Sequence, residues 1–196
     1  MTTLKTKNEC SSNINLKSLF LKYGINSKTN FDIYDICNDL KLECFICMRD
    51  EIAEAMPMRD EIRMRDEIRM RDEIPEALGP IIFNYQTTNE YGSHWCCFSN
   101  NLYFDSFGIK PIKELESRTL KYNDIQIQPF ETEICGILSI YFLYLVKYMT
   151  NSVGRFRRTD EVRTSAEVVT SSEFESMTKF KNIIEIMKKE VLKCLQ

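Results

Sequence analysis

The stretch His94-Trp95-Cys96-Cys97-Phe98-Ser99-Asn100-Asn101-Leu102-Tyr103-Phe104-Asp105 holds two apolar runs joined by an Asn-Asn pair. Asparagine tolerates positive φ, so Asn100-Asn101 reads as a two-residue hairpin turn. That turn sets the register: Ser99 faces Leu102, Phe98 faces Tyr103, Cys97 faces Phe104, and Cys96 faces Asp105. Side chains alternate along a strand, which places His94 and Cys96 on one face and Trp95 on the other. Asp105 is then a diagonal neighbour of His94, at roughly 7–8 Å, near enough to accept a hydrogen bond from one ring nitrogen and leave the other open. His94 is the single histidine of the chain, and so the obvious base near neutral pH.

Further strands are expected upstream at Leu42 to Cys47 and Ile81 to Tyr85, with the hairpin strands at His94 to Phe98 and Leu102 to Ser106. A last short one is expected at Ile125 to Ile127. Helices are expected over 13–23, where Leu16, Leu19, Phe20 and Tyr23 precede Gly24, and over 31–40. In the second, Asn30 is the cap, Asp32 lies in the first turn, and Phe31, Tyr34, Ile36 and Leu40 are the apolar anchors. Residues 111–117 form a short helix, and Cys135 to Tyr148 a strongly apolar one. Phe174, Met177, Phe180, Ile184, Met187, Val191 and Leu195 trace one face of a C-terminal helix, a stripe read first as core packing and second as a partner surface. The class is α+β.

The chain has 196 residues, 43% of them hydrophobic, enough for one globular domain with its own core. Its formal charge of −3 gives no basic field, so nucleic acid is not favoured as a partner. Met-Arg-Asp-Glu-Ile recurs at Met48, Met58, Met64 and Met70. The six-residue spacing of the last three copies does not match a helical period, and no continuous apolar stripe results. Residues 53–74 therefore read as an expanded insertion within a domain spanning 1–150, and deletion of 53–69, which leaves the copy at Met70, is expected to leave folding and activity largely intact. A polar linker (151–172) and the C-terminal helix (173–196) follow.

The polar start of the chain is not a secretory signal, and Ile137 to Val146 is too short to span a bilayer. An intracellular setting is expected, in cytoplasm, nucleus or virion, with the eight cysteines reduced. Cys44 and Cys47 have CxxC spacing, but no second pair follows and the only histidine is engaged elsewhere. They read as buried thiols in a strand, and no metal or cofactor is expected.

Cys135 opens the apolar helix, where backbone N–H groups and the helix dipole stabilise negative charge, as a thiolate nucleophile beside His94 requires. Gln128 and the Cys135 N–H are candidates for an oxyanion hole. Gly136 permits close approach of a substrate backbone, and Trp95 is a second substrate-binding candidate. Singly, each residue has an ordinary explanation: a buried thiol, a structural histidine, a turn-capping aspartate, a surface glutamine. The hairpin links two of them, and the order His–Asp–Gln–Cys links all four.

The blocks Gly92-Ser93-His94-Trp95 and Tyr103-Phe104-Asp105-Ser106-Phe107-Gly108, with Gln128 seven residues before Cys135-Gly136, resemble the adenovirus-type (adenain-like) cysteine proteases. The likeness is nearest to those of Maverick/Polinton transposons and related viruses. Met70-Arg71-Asp72-Glu73-Ile74-Pro75 looks like a family element that precedes the His block. Ile137-Leu138 stand where the family usually has an aromatic residue. The resemblance implies an α+β fold of the adenain/Ulp type, with a Cys-bearing helix packed on a mixed sheet. It also implies a thiol endopeptidase with Cys135 as nucleophile, His94 as base, Asp105 as third member and Gln128 as oxyanion donor. Capsid-type precursor polypeptides are the implied substrates. An activating peptide stays open as a partner; DNA and membrane are not expected. The alternatives are a SUMO or ubiquitin-like isopeptidase, which shares the residue order, and a catalytically inactive, domesticated interaction protein.

Overall fold

The computed structural model describes residues 14–52, 79–90, 92, 94–151 and 171–195. The expected insertion at 53–74 and nearly all of the expected linker lie outside the described residues.

Strands β3 (Trp95–Ser99) and β4 (Leu102–Asp105) pair antiparallel, with Cys96 opposite Asp105, Cys97 opposite Phe104, Phe98 opposite Tyr103 and Ser99 opposite Leu102. Asn100 and Asn101 carry φ of 52° and 61°, the left-handed pair that lets a two-residue turn follow the twist of its strands. β2 (Ile81–Asn84) pairs antiparallel with β3, and β1 (Phe45–Met48) pairs parallel with β2. β5 (Lys121–Tyr122) runs parallel to β4 at the other edge, giving a mixed five-stranded sheet of order β1-β2-β3-β4-β5. Together with its helices this is an α+β protein.

Alternation sorts the strand residues into two layers. Ile82, Trp95, Cys97, Leu102 and Phe104 face the larger helical core, while Ile81, Phe83, Cys96, Phe98 and Tyr103 face a smaller one closed by Ile52, Ile112 and Leu115. Ile112 and Leu115 flank and occupy the short helix α3 (Lys113–Glu116).

Helix α4 (Cys135–Asn151) lies against β3 and β4 on one side and against α1 (Leu16–Tyr23), α2 (Asn30–Asp39) and α5 (Ser171–Cys194) on the other. This is why its sequence is apolar around much of its circumference: Ile137, Leu138, Ile140, Phe142 and Leu143 are all buried. Each such side chain contributes about 1.5–3 kcal/mol relative to exposure. The C-terminal stripe is core: Phe180, Ile184, Met187 and Val191 are buried, with Ile183 beside them, and Phe180 meets Phe142 edge-on at 5.9 Å. Leu195, at its end, is exposed. Among the described residues no helix is long and apolar enough to cross a membrane.

Several expectations are corrected. The cap of α2 is Thr29, not Asn30: the Thr29 side chain accepts from Asp32 N, and the Asp32 carboxylate accepts from Thr29 N at 2.8 Å, a capping box. The buried stripe of that helix is Ile33, Ile36, Cys37 and Leu40, so Phe31 and Tyr34 are exposed. Ile125 to Ile127 is not a strand. Ile127 N and Gln128 N both donate to Ser106 O, a loop pairing, and the edge strand forms earlier at Lys121–Tyr122.

Candidate active site

His94 stands just before β3, at the end of the hairpin away from its turn. Asp105 closes β4 beside it and is fully buried. His94 Nε2–H donates to Asp105 Oδ2 at 3.0 Å, and the Cys96 thiol donates to the same oxygen at 3.1 Å. The expected shared face of His94, Cys96 and Asp105 is thus present. The other carboxylate oxygen accepts from Phe107 N at 2.7 Å, so both oxygens of the buried acid are paired.

The Asp105 backbone is held in turn by Asn123. This buried side chain accepts from Asp105 N at 3.0 Å and donates to the carbonyls of Asp105 and Ile125. Beyond it, Gly108 N donates to Asp105 O, and Gly108 sits at φ 76° with its α-carbon against the Ile125 backbone, where a side chain would collide.

Cys135 reaches the imidazole because α4 is fastened to β3 one turn further along. Ser139 Oγ donates to Trp95 O at 3.2 Å, and the Cys97 thiol donates to Ser139 O at 3.5 Å. Four residues of helix span about 6 Å, so the first residue of α4 projects past Trp95 toward His94. Nδ1 of His94 has no hydrogen-bond partner, and Cys135 lies near enough to the ring to act on its charge. Their relation is proximity and charge interaction, short of hydrogen-bond geometry. Burial works against charging the imidazole, but the Asp105 hydrogen bond, followed by the interactions with Cys135, outweighs it and pushes the pKa up to about 9. Both groups are nearly closed to solvent, with His94 9% and Cys135 4% exposed.

Gln128 joins the same network through the residue after the acid. Ser106 Oγ donates to Gln128 Oε1 at 2.7 Å, and Gln128 Nε2 donates to the Thr132 carbonyl. The amide is therefore oriented, with one of its two N–H groups engaged, and its side chain is buried instead of lying on the surface.

Trp95 and Gly136 take other places than those expected. Trp95 is 2% exposed in the helical core, and its indole N–H donates to Lys28 O at 2.8 Å, which pins the segment between α1 and α2. Gly136 is buried: a β-carbon there would meet Ile33 Cδ1 at 2.9 Å and Lys28 Cβ at 3.2 Å, so its smallness lets α4 dock. The exposed aromatic near the site is Phe130, 78% exposed and stacked on Phe107 at 5.6 Å, with Phe107 lying 4.9 Å from the His94 ring.

Asn123 and Phe130 carry no signal in the sequence, and the sequence places Cys96 and Ser106 beside Asp105 without giving either a role. Asn123 follows a two-residue edge strand and carries no motif; only the paired topology of β4 and β5 brings it to Asp105. His94, Cys96 and Asp105 offer three donor atoms within 4.8 Å of one another, a spacing that suits a metal ion. Burial and the neighbouring Asp105 hold the Cys96 thiol well above its ordinary pKa, however, which opposes the thiolate a metal needs, and Asp105 Oδ2 already accepts from both neighbours.

What the arrangement can do is hold a proton on the imidazole near neutral pH beside a cysteine at a helix N-terminus. Comparison with protein-family models, with curated proteins and with solved structures gives no match for the chain.

Proposed function

We propose that this chain is a thiol endopeptidase that cuts precursor polypeptides, with a fold of the adenain/Ulp type. One observation carries the reading: a buried acid ties down Nε2 of the only histidine and leaves Nδ1 open, while Cys135, at the start of α4, lies near enough to act on the ring's charge. In this reading the Cys135 sulfur attacks the scissile carbonyl carbon and its proton resides on His94 Nδ1. Asp105 keeps the ring oriented and stabilises the imidazolium. The Cys135 N–H and the second N–H of Gln128 Nε2 receive the oxyanion, each such donor being worth about 2.7–4 kcal/mol. His94 then protonates the leaving amine, and water hydrolyses the thioester. Phe130 and Phe107, not Trp95, offer the substrate an aromatic surface.

The proposed substrates are viral or transposon structural precursors of capsid type. This rests on the combined resemblance of the His, Asp and Cys-Gly blocks. The free thiols of the described cysteines suit an intracellular, reducing setting.

The test is a reactivity comparison followed by cleavage. A small alkylating probe should label Cys135 faster than any other thiol near neutral pH, and His94→Ala should remove that advantage. Cys135→Ala and His94→Ala should each abolish cleavage of Gly-containing peptides. Labelling of Cys135 no faster than the other thiols would leave the interaction-protein alternative standing. Cleavage of a SUMO fusion but not of the peptides would favour the isopeptidase.

A further inference from the structure

The fold separates the two cysteines that the CxxC spacing would pair. Cys47 lies in β1 facing the smaller core, whereas Cys44, just before that strand, packs against the larger one. Cys44 instead shares a cavity with Cys37, in the last turn of α2. The chain between them turns back sharply: Lys41 takes φ 53°, and Leu42 N donates to Cys37 O at 2.8 Å. Both residues line one surface cavity of about 180 Å³, walled also by Tyr34, Lys41 and Ile46. Cys44 is half-buried and Cys37 is buried behind it. We propose that Cys37 and Cys44 are a redox modification site, which a low-molecular-weight disulfide entering this cavity converts to an intramolecular disulfide.

The two thiols are unequal in the way such exchange requires. The Cys37 thiol stabilises negative charge on Cys44 and draws its pKa down, while Cys37 itself is held up by that same interaction and by burial. Cys44 is therefore the attacking thiolate and Cys37 the resolving thiol. Cys44 Sγ attacks one sulfur of the small disulfide, RSSR; the S–S bond breaks, and the departing RS⁻ takes the proton that Cys44 gave up. A mixed disulfide then stands at Cys44. Cys37 loses its proton, its sulfur attacks Cys44 Sγ, and a second RS⁻ leaves and is protonated. The two cysteines are oxidised by two electrons, and RSSR is reduced to two RSH. Cys97, the other thiol that interacts with this pair, is fully buried, does not line the cavity, and donates to Ser139 O.

Glutathione disulfide is the probe. The native, full-length protein is exposed to it, quenched in acid, and mapped as non-reduced peptides. The expected result is a Cys37–Cys44 cross-link, two fewer alkylatable thiols than the eight of the chain, and full recovery with dithiothreitol. In Cys37→Ser the glutathione adduct should persist on Cys44; in Cys44→Ser, Cys37 should remain unmodified. A bond joining either residue to another cysteine, an adduct on wild-type Cys44 that is never resolved, or Cys44 reacting no faster than Cys47 would each overturn the proposal. The wild-type map alone decides it should either variant fail to fold.

Discussion

Asp105→Asn exchanges the acceptor that holds His94 for an amide of the same shape. Asn Oδ1 keeps the Phe107 N–H, but its NH₂ faces His94 Nε2, which must then accept, and the ring hydrogen moves to Nδ1. The raised pKa should be lost. An imidazole lifted from 6.5 to about 9 contributes on the order of 3 kcal/mol to folding. Because the folded pKa is the higher one, that contribution is complete below pH 6.5, declines above it, and is gone once the pH has passed 9. The assay is urea unfolding of wild type and variant followed by fluorescence of the single, buried tryptophan, Trp95. Burial also raises Cys47, Cys96 and Cys97, whose ionisation in the unfolded chain weakens both proteins at high pH. The informative quantity is therefore the gap between the two. It should be widest near pH 6 and shrink by about 3 kcal/mol toward pH 9.5. With one histidine in the chain, the imidazole proton signal of a tag-free sample needs no assignment and gives the midpoint directly. A gap that does not change with pH, or a wild-type midpoint at or below 6.5, would mean that Asp105 does not hold the proton on His94. Peptide cleavage by the variant should fall by roughly 10⁴ without vanishing, the loss expected for a wrong tautomer in an intact site.

Asn123→Ala strips partners from the buried N–H and carbonyl of Asp105 and should cost about 2–4 kcal/mol in urea unfolding. It should also lower the His94 midpoint, a shift that a purely structural asparagine would not cause. Gly136→Ala drives a methyl into Ile33 Cδ1 and should destabilise by about 1–2 kcal/mol, and Ile33→Val, which removes that atom, should absorb most of the loss in a double-mutant cycle. Phe180→Ala empties the contact of α5 with Phe142 and should cost about 3–5 kcal/mol. A loss well under 1 kcal/mol there would mean that α5 is an appendage, not part of the core.

The register of β3 and β4 was readable because everything that sets it is local: a turn pair tolerant of positive φ, and alternation over a few residues on each side. The proximity of His94 and Asp105 followed without any long-range knowledge. Approach of Cys135 was not deducible in that way, since it depends on Ser139 meeting the carbonyl of Trp95 across the layer between helix and sheet. Helix α2 illustrates the limit from another side. Its sequence offers aromatic residues on one flank and Ile33, Ile36 and Cys37 on the other, and only the neighbouring α4, with Gly136 leaving room for Ile33, selects the second. Ile125 to Ile127 has strand composition, but its backbone is claimed by Ser106 and Asn123. Trp95 and Gly136 are packed in the core for a related reason: a residue beside a reactive one in sequence can point into another layer.

The parallel pairing of β1 with β2 has a consequence for how this gene can change. Strands joined in parallel need a long return passage before they can align, so the polypeptide between Ile52 and Gly79 must cover that ground whatever its sequence. Lengthening such a passage costs only about 0.6 kcal/mol per doubling of its length. Copies of a six-residue unit can accumulate there by slippage during replication, while the register on either side, and the hairpin that carries the histidine, are inherited unchanged.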